Sequence, residues 1–147
     1  MAKGERVYVA LGSNLEDRAA HLAYARARLA ALPGTRLLQQ SAVEETAPLG
    51  PVPQGAYLNQ MVVLDTTLEP GELLARLHAI EAERGRDRRA GVRWGPRTLD
   101  LDIIRYGDRV VREPELTIPH PELPNRDFWR REIAELDALP LAGRAGG

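Results

Sequence analysis

The sequence predicts a mixed α/β sandwich in which helices cover an antiparallel sheet. Two observations carry this. Segments of strand period and segments of helix period alternate in the order β-α-β-β-α-β, and no linker or internal repeat interrupts them. A chain of 147 residues fits one domain, expected to span 1–147, with RAGG ending a flexible tail from about 142 to 147.

Residues 6–12, RVYVALG, set Val7, Val9 and Leu11 on one face and Tyr8 and Ala10 on the other, as in a strand covered on both sides. In Gly12-Ser13-Asn14-Leu15-Glu16, a Ser followed three residues later by Glu predicts a capping box. It would open a helix that runs to about Leu32, where Pro33-Gly34 stops it. A polar strand is expected over 36–46, a Gly/Pro-rich loop over 48–55 and a third strand over 57–68.

Pro70 suits the first turn of a second helix, whose apolar face is Leu73, Leu74, Leu77 and Ile80, with Glu81 beside that stripe. An arginine-dense loop and a strand holding Asp100 and Asp102 follow. Gly107-Asp108 before Val110-Val111 reads as a hairpin turn, and the tail holds one helix. This order is the split βαβ, ferredoxin-like pattern with an added hairpin, and it leaves the sheet's second face for a site. Such a fold hosts nucleic-acid binders, metal carriers and enzymes alike.

Composition narrows the chemistry. Hydrophobic residues at 44% and charged residues at 28% suit a soluble globular chain. MAKGER leads straight into a strand, and no apolar stretch is long enough to cross a bilayer, so a cytoplasmic location and no membrane partner are expected. The absence of cysteine removes disulfides, thiolate metal sites and cysteine nucleophiles. Lys3 is the only lysine among 20 basic residues, and no glycine loop carries one. If phosphate is handled, arginine handles it.

Strand alternation turns Asp100 and Asp102 to one face while Leu99, Leu101 and Ile103 face the core. Like charges at that spacing repel, and a hard divalent cation such as Mg²⁺ reverses the sign of the energy. A solvated strand face is the commoner origin of an isolated Asp-x-Asp. Its context here is Arg84 to Arg97, RGRDRRAGVRWGPR, where six of fourteen residues are arginine and Asp87 is the single acid. Cations beside a metal site imply a polyphosphate. A basic loop for nucleic acid is the alternative, but aromatic residues make up only 5% and no strand carries a base-stacking cluster. A metal-dependent phosphohydrolase is a second alternative.

Tyr57 and Asn59 share a strand face, pairing a flat ring with an amide that can read a heterocycle; core packing explains them nearly as well. His120, held between prolines, suits either a phosphate donor or an ordinary exposed histidine, and Trp94 either clamps a base or anchors the loop. His21 and His78, on the expected helices, form no evident metal set with His120.

These residues together resemble the 6-hydroxymethyl-7,8-dihydropterin pyrophosphokinase family. The resemblance runs from about Tyr8 to Phe128 through ALGSNL, TAPLGPVPQGAYLNQ, RWGPRTLDLDI, LTIPHP and NRDF. It implies a ferredoxin-like sandwich that moves pyrophosphate from ATP to the hydroxymethyl of the dihydropterin, leaving AMP, in folate biosynthesis. Asp100 and Asp102 would bind two Mg²⁺ ions and, with Arg86 and Arg97, form the catalytic set. The pterin would lie between Tyr57 and Phe128, its edge read by Asn59 and the segment Thr46, Pro48 and Leu49. Glu81, Arg88, Arg93, Trp94, Ile103, Thr117, His120 and Arg126 would serve the nucleotide. Both partners are then small molecules, no nucleic acid is involved, and a monomer is expected. Two departures stand out: one extra residue between Arg88 and Arg93, and a shorter, more charged segment after Phe128, WRREIAELDALPLAG.

Overall fold

The computed structural model describes residues 4–14, 17–47, 55–85 and 99–139. Its strands are β1 (Glu5–Ser13), β2 (Thr35–Gln40), β3 (Glu44–Thr46), β4 (Tyr57–Thr66), β5 (Asp100–Tyr106), β6 (Val111–Glu113) and β7 (Leu116–Ile118). Its helices are α1 (Arg18–Ala30), α2 (Pro70–Glu83) and α3 (Asp127–Ala138), and a single 3-10 turn spans Leu123–Asn125.

The main sheet runs β2-β4-β1-β5 with β3 also paired to β4, all antiparallel. Two βαβ units interleave, since β4 enters between β1 and β2 while β1 enters between β4 and β5. This is the ferredoxin-like α/β arrangement. On one face Val7, Val9, Leu11, Val62, Leu64, Leu101 and Ile103 pack against Leu22, Leu29, Leu73, Leu77 and Ile80 of α1 and α2. Each of these helices buries its apolar stripe there, and a buried Leu or Ile contributes roughly 1.5–3 kcal/mol. No helix among the described residues is long and apolar enough to cross a membrane.

Helix α2 starts as Pro70 predicts, and its capping box is made by Glu69 and Glu72, whose Oε1 accepts the Glu69 N–H at 3.0 Å. The box expected at Ser13 does not form, because Ser13 stays in β1 opposite Leu58. Helix α1 starts instead at Arg18, after Asp17 in a left-handed conformation and without a side-chain cap. Its other expected member, Glu16, lies outside the described residues.

The strand expected over 36–46 is two strands. At Ser41 the backbone N–H donates to Met61 O at 2.9 Å, while its hydroxyl, instead of its carbonyl, accepts the Met61 N–H at 2.9 Å. The freed carbonyl takes the Gln60 amide at 2.7 Å, and Gln60 in turn accepts from Arg26 at 2.8 Å. The ladder breaks there and resumes at Glu44.

The hairpin lies further along than expected. Gly107 turns the chain at φ +53°, but its N–H goes to Arg6 O at 2.7 Å, and the strand that follows leaves the sheet. β6 pairs with β7 through the two-residue loop Pro114-Glu115, and Ile118–Pro119 is cis. The sheet's second face is also only partly open. Helix α3 lies on it through Trp129, Ile133 and Leu136, packed on Ala10, Met61, Val63 and Ile104.

Candidate active site

The part of that second face that α3 leaves uncovered among the described residues is framed by strand register. Gly12 of β1 is opposite Asn59 of β4 on one side and Asp100 of β5 on the other. Residues opposite one another in a ladder share a face, so Asn59, Gly12 and Asp100 form one row across three strands. Asp102 opposes Ala10 in the next row, beside the α3 packing. A Cβ on Gly12 would lie 3.2 Å from Asn59 Oδ1 and 3.5 Å from the Tyr57 ring, so this position suits glycine.

The aspartates are half-buried, while Leu99, Leu101 and Ile103 are in the core behind them, as alternation predicts. Glu81 reaches the same segment from below. It is 1% exposed and accepts the Leu101 N–H at 2.8 Å, holding β5 between the two aspartates.

On the β4 side, Thr46 opposes Tyr57, and Asn59 Nδ2 donates to Thr46 Oγ1. Arg18 closes both feet of the loop between them. Its Nη1 is 2.8 Å from Ala56 O and 2.9 Å from Glu45 Oε2, and Asn14 Nδ2 adds a bond to Gly55 O at 3.2 Å.

Across the face, α3 and the segment before it bring four side chains. Phe128 and Trp129 meet edge to face at 6.0 Å, and the Arg126 guanidinium lies 4.3 Å over the Trp129 ring. His120 stands on Trp129 at 4.8 Å, and its backbone N–H donates to Ile104 O at 2.9 Å. Its Nδ1 accepts the Glu122 N–H at 3.0 Å, which leaves the neutral ring's proton on Nε2. Nε2 is 3.8 Å from Asp102 Oδ1, beyond hydrogen-bond reach.

Beside β5, the sheet's edge strand, a cleft of about 260 Å³ is lined by Asp102, Ile103, Thr117 and His120 together with Leu74 and His78 of α2. Three of the residues expected on the nucleotide side, Ile103, Thr117 and His120, thus border one cleft with Asp102 at the edge of the sheet, while Thr46, Tyr57 and Asn59 lie on the second face toward β4 and Phe128 is carried by α3 over that face. Pro48, Leu49, Arg86, Arg88, Arg93, Trp94 and Arg97 lie outside the described residues.

Sequence reasoning passed over Gly12, Arg18, Glu44 and Glu132. The signal for Glu132 was present: it sits at helical spacing from Trp129, Ile133 and Leu136, so it belongs to a buried stripe. It is 1% exposed, and burial first, then the Glu44 carboxyl beside it, pushes its pKa up to about 9. Its helix, α3, also carries Phe128.

Comparison with known proteins identifies the family. Residues 8–138 match 7,8-dihydro-6-hydroxymethylpterin-pyrophosphokinase. A 2-amino-4-hydroxy-6-hydroxymethyldihydropteridine pyrophosphokinase of Pseudomonas aeruginosa is 44% identical over 132 residues, covering 90% of this chain and 80% of that protein. Proteins of the same name from Haemophilus influenzae and Bacillus subtilis are 43% and 40% identical, covering 82% and 88% of this chain and 74% and 76% of theirs. With a match over nearly its whole length and relatives well above 30% identity, this chain belongs to the 7,8-dihydro-6-hydroxymethylpterin-pyrophosphokinase family.

Proposed function

We propose that this protein transfers the pyrophosphoryl group of ATP to the hydroxymethyl oxygen of 6-hydroxymethyl-7,8-dihydropterin, releasing AMP, as a step of folate biosynthesis. Membership of the family supports the transfer and its acceptor. The observation that carries the site is the row Asn59–Gly12–Asp100, which sets a heterocycle-reading amide and a carboxylate on one face, two strand spacings or roughly 10 Å apart.

In this reading the pterin lies between Tyr57 and Phe128 with its edge on Asn59 and Thr46. Its hydroxymethyl points along the row toward Asp100. The nucleotide occupies the cleft of Ile103, Thr117 and His120. Asp100 and Asp102 offer hard carboxylate oxygens on one face, a donor set that fits Mg²⁺ in company with phosphate oxygens and water. When bound, such ions neutralise phosphate charge and make the acceptor hydroxyl more acidic. The chain's own residues supply position: Glu81 fixes β5, Asn59 orients the acceptor, and His120 Nε2 presents a proton to the cleft. The hydroxyl oxygen attacks the β-phosphorus in line, the bond to the α-phosphate oxygen breaks, and AMP leaves. Arg86 and Arg97 belong to the same reading as cations over the transferring phosphates. The enzyme is read as a cytoplasmic monomer.

The test is product analysis with ATP, Mg²⁺ and the hydroxymethyl dihydropterin. AMP and the pterin diphosphate are expected in equal amounts, and only when the pterin is present. AMP or ADP formed from ATP and water alone would overturn the reading in favour of hydrolysis. Removing Mg²⁺ with a chelator is expected to stop turnover.

A further inference from the structure

Among the described residues, no donor reaches either carboxylate oxygen of buried Glu132. Its carboxyl meets that of Glu44 on β3. Two carboxylates in contact both accept and neither donates, so the contact is stable only when one of them holds a proton. Arg131 decides which. Its Nη2 is 2.7 Å from Glu44 Oε1, so the proton of the contact belongs on the buried Glu132. The charged groups acting on Glu132 are Glu44 from β3 and Arg131 and Glu135 from its own helix. On the other elements around α3 the charges have partners elsewhere: Tyr8 of β1 binds Asp137 and faces Arg105 of β5, Arg36 of β2 pairs with Asp65 of β4, and Arg126 lies on Trp129.

The place of this contact gives it a consequence. Glu44 is directly opposite Asn59, and two residues on, Thr46 is opposite Tyr57. One helical turn before Glu132, α3 carries Phe128. The carboxyl contact therefore spans the gap between the strand that holds Thr46 and the helix that holds Phe128. Among the described residues Arg131 ties α3 to the same Glu44 beside this contact, and further along the helix Ala42 N–H donates to Glu135 at 2.9 Å and Gln39 donates to Leu136 O at 3.3 Å.

We infer that Glu132 is a positioning residue for the acceptor substrate. As a neutral acid it donates a hydrogen bond to Glu44, setting the separation of Phe128 from Thr46 and Asn59, and loss of that proton weakens pterin binding. This rests on the reading of the pterin between Tyr57 and Phe128. The protonated pair itself does not.

Two measurements test it. Infrared difference spectra of the ligand-free protein, wild type against Glu132→Gln, are expected to show a protonated-carboxyl band that the variant lacks and that titrates away in the alkaline range. Its absence from wild type at neutral pH overturns the inference and leaves the enzyme reading untouched. Pterin binding is then followed from about pH 7 to about pH 10, where wild type should weaken about tenfold relative to Glu132→Gln, with the nucleotide KM ratio constant. Glu132→Leu, checked for folding by circular dichroism, should bind pterin less tightly across the whole range. Parallel wild-type and Glu132→Gln profiles overturn the positioning role. Failure of every protein, wild type included, to bind pterin overturns the functional reading and the positioning role with it, while the infrared result stands alone.

Discussion

The buried carboxylate of Glu81 accepts the backbone N–H of Leu101, the residue between the two aspartates of the site. Among the described residues strand β5 is at the sheet edge, and no strand there pairs with its outer backbone. A carboxylate from α2 does part of that work. Glu81→Ala leaves the Leu101 N–H buried without this acceptor and is expected to cost about 1–3 kcal/mol. Glu81→Gln, which keeps an acceptor oxygen, should cost less. Urea unfolding gives the stability, and turnover of the folded variants gives the effect on aspartate placement, with kcat falling more for Ala than for Gln.

Asp100→Ala and Asp102→Ala each remove half of a like-charged pair on a half-buried face. Asp102→Ala is not expected to lower the melting temperature. Each should reduce kcat by about 10³-fold, the several kcal/mol expected when charge stabilisation of a transferring phosphate is lost. Circular dichroism and steady-state rates with Mg²⁺ check both halves. Near-normal turnover in either variant removes the metal role.

Asn59→Ala removes the amide proposed to read the acceptor, and its bond to Thr46. The expected outcome is pterin binding weaker by about 10- to 100-fold, the effect of one or two unmade hydrogen bonds, with nucleotide KM unchanged. Titration calorimetry with each substrate separates the two, and an unchanged pterin affinity takes Asn59 out of the site.

Arg18 joins Glu45, before the 47–55 segment, to Ala56 after it. Arg18→Ala frees both feet. Because Arg18 is one-third exposed, the loss should be modest, raising pterin KM up to about tenfold with kcat within about twofold. Steady-state kinetics at saturating nucleotide reads this directly.

Stability should depend on pH through Glu132. Unfolded, its carboxyl titrates near the ordinary value of about 4.3, whereas folded it holds its proton to about 9. Between these values the unfolded chain ionises and the folded one does not. The contribution is therefore complete below the unfolded value and declines as pH rises toward the folded one, by at most about 1.4 kcal/mol per pH unit. Glu132→Gln should flatten that slope, so that the variant gains on wild type between about pH 5 and about pH 8 in urea titrations.

The elements most legible in the sequence were those whose signals are local. Pro70 and the stripe Leu73, Leu77 and Ile80 mark α2 without reference to the rest of the chain, and alternation alone turns Asp100 and Asp102 away from Leu101. The failures share a cause in partners far along the chain. Ser41 breaks its strand through Met61, Ser13 is kept from capping α1 by Leu58, and Gly107 gives its N–H to Arg6 rather than to a neighbouring hairpin strand. The helix over the second face was anticipated as an element but not as a cover, since the charged segment after Phe128 hides a stripe of only Trp129, Glu132, Ile133 and Leu136. Of the site, the strand-borne residues were readable by period. Glu132 went unseen because an acid within an apolar stripe looks like solvent-facing charge until the stripe is phased.

The row Asn59–Gly12–Asp100 is a ruler. The length of its backbone comes from hydrogen bonds between three strands, so movement of a surrounding loop does not alter it. On the proposed placement of the pterin, specificity for the acceptor would have two parts: the ring chosen at one end by complementarity, and the reach of its hydroxyl arm chosen by the span of the sheet. A pterin with a one-carbon longer arm would satisfy the first choice and overshoot the second, occupying the site as an inhibitor without becoming a substrate.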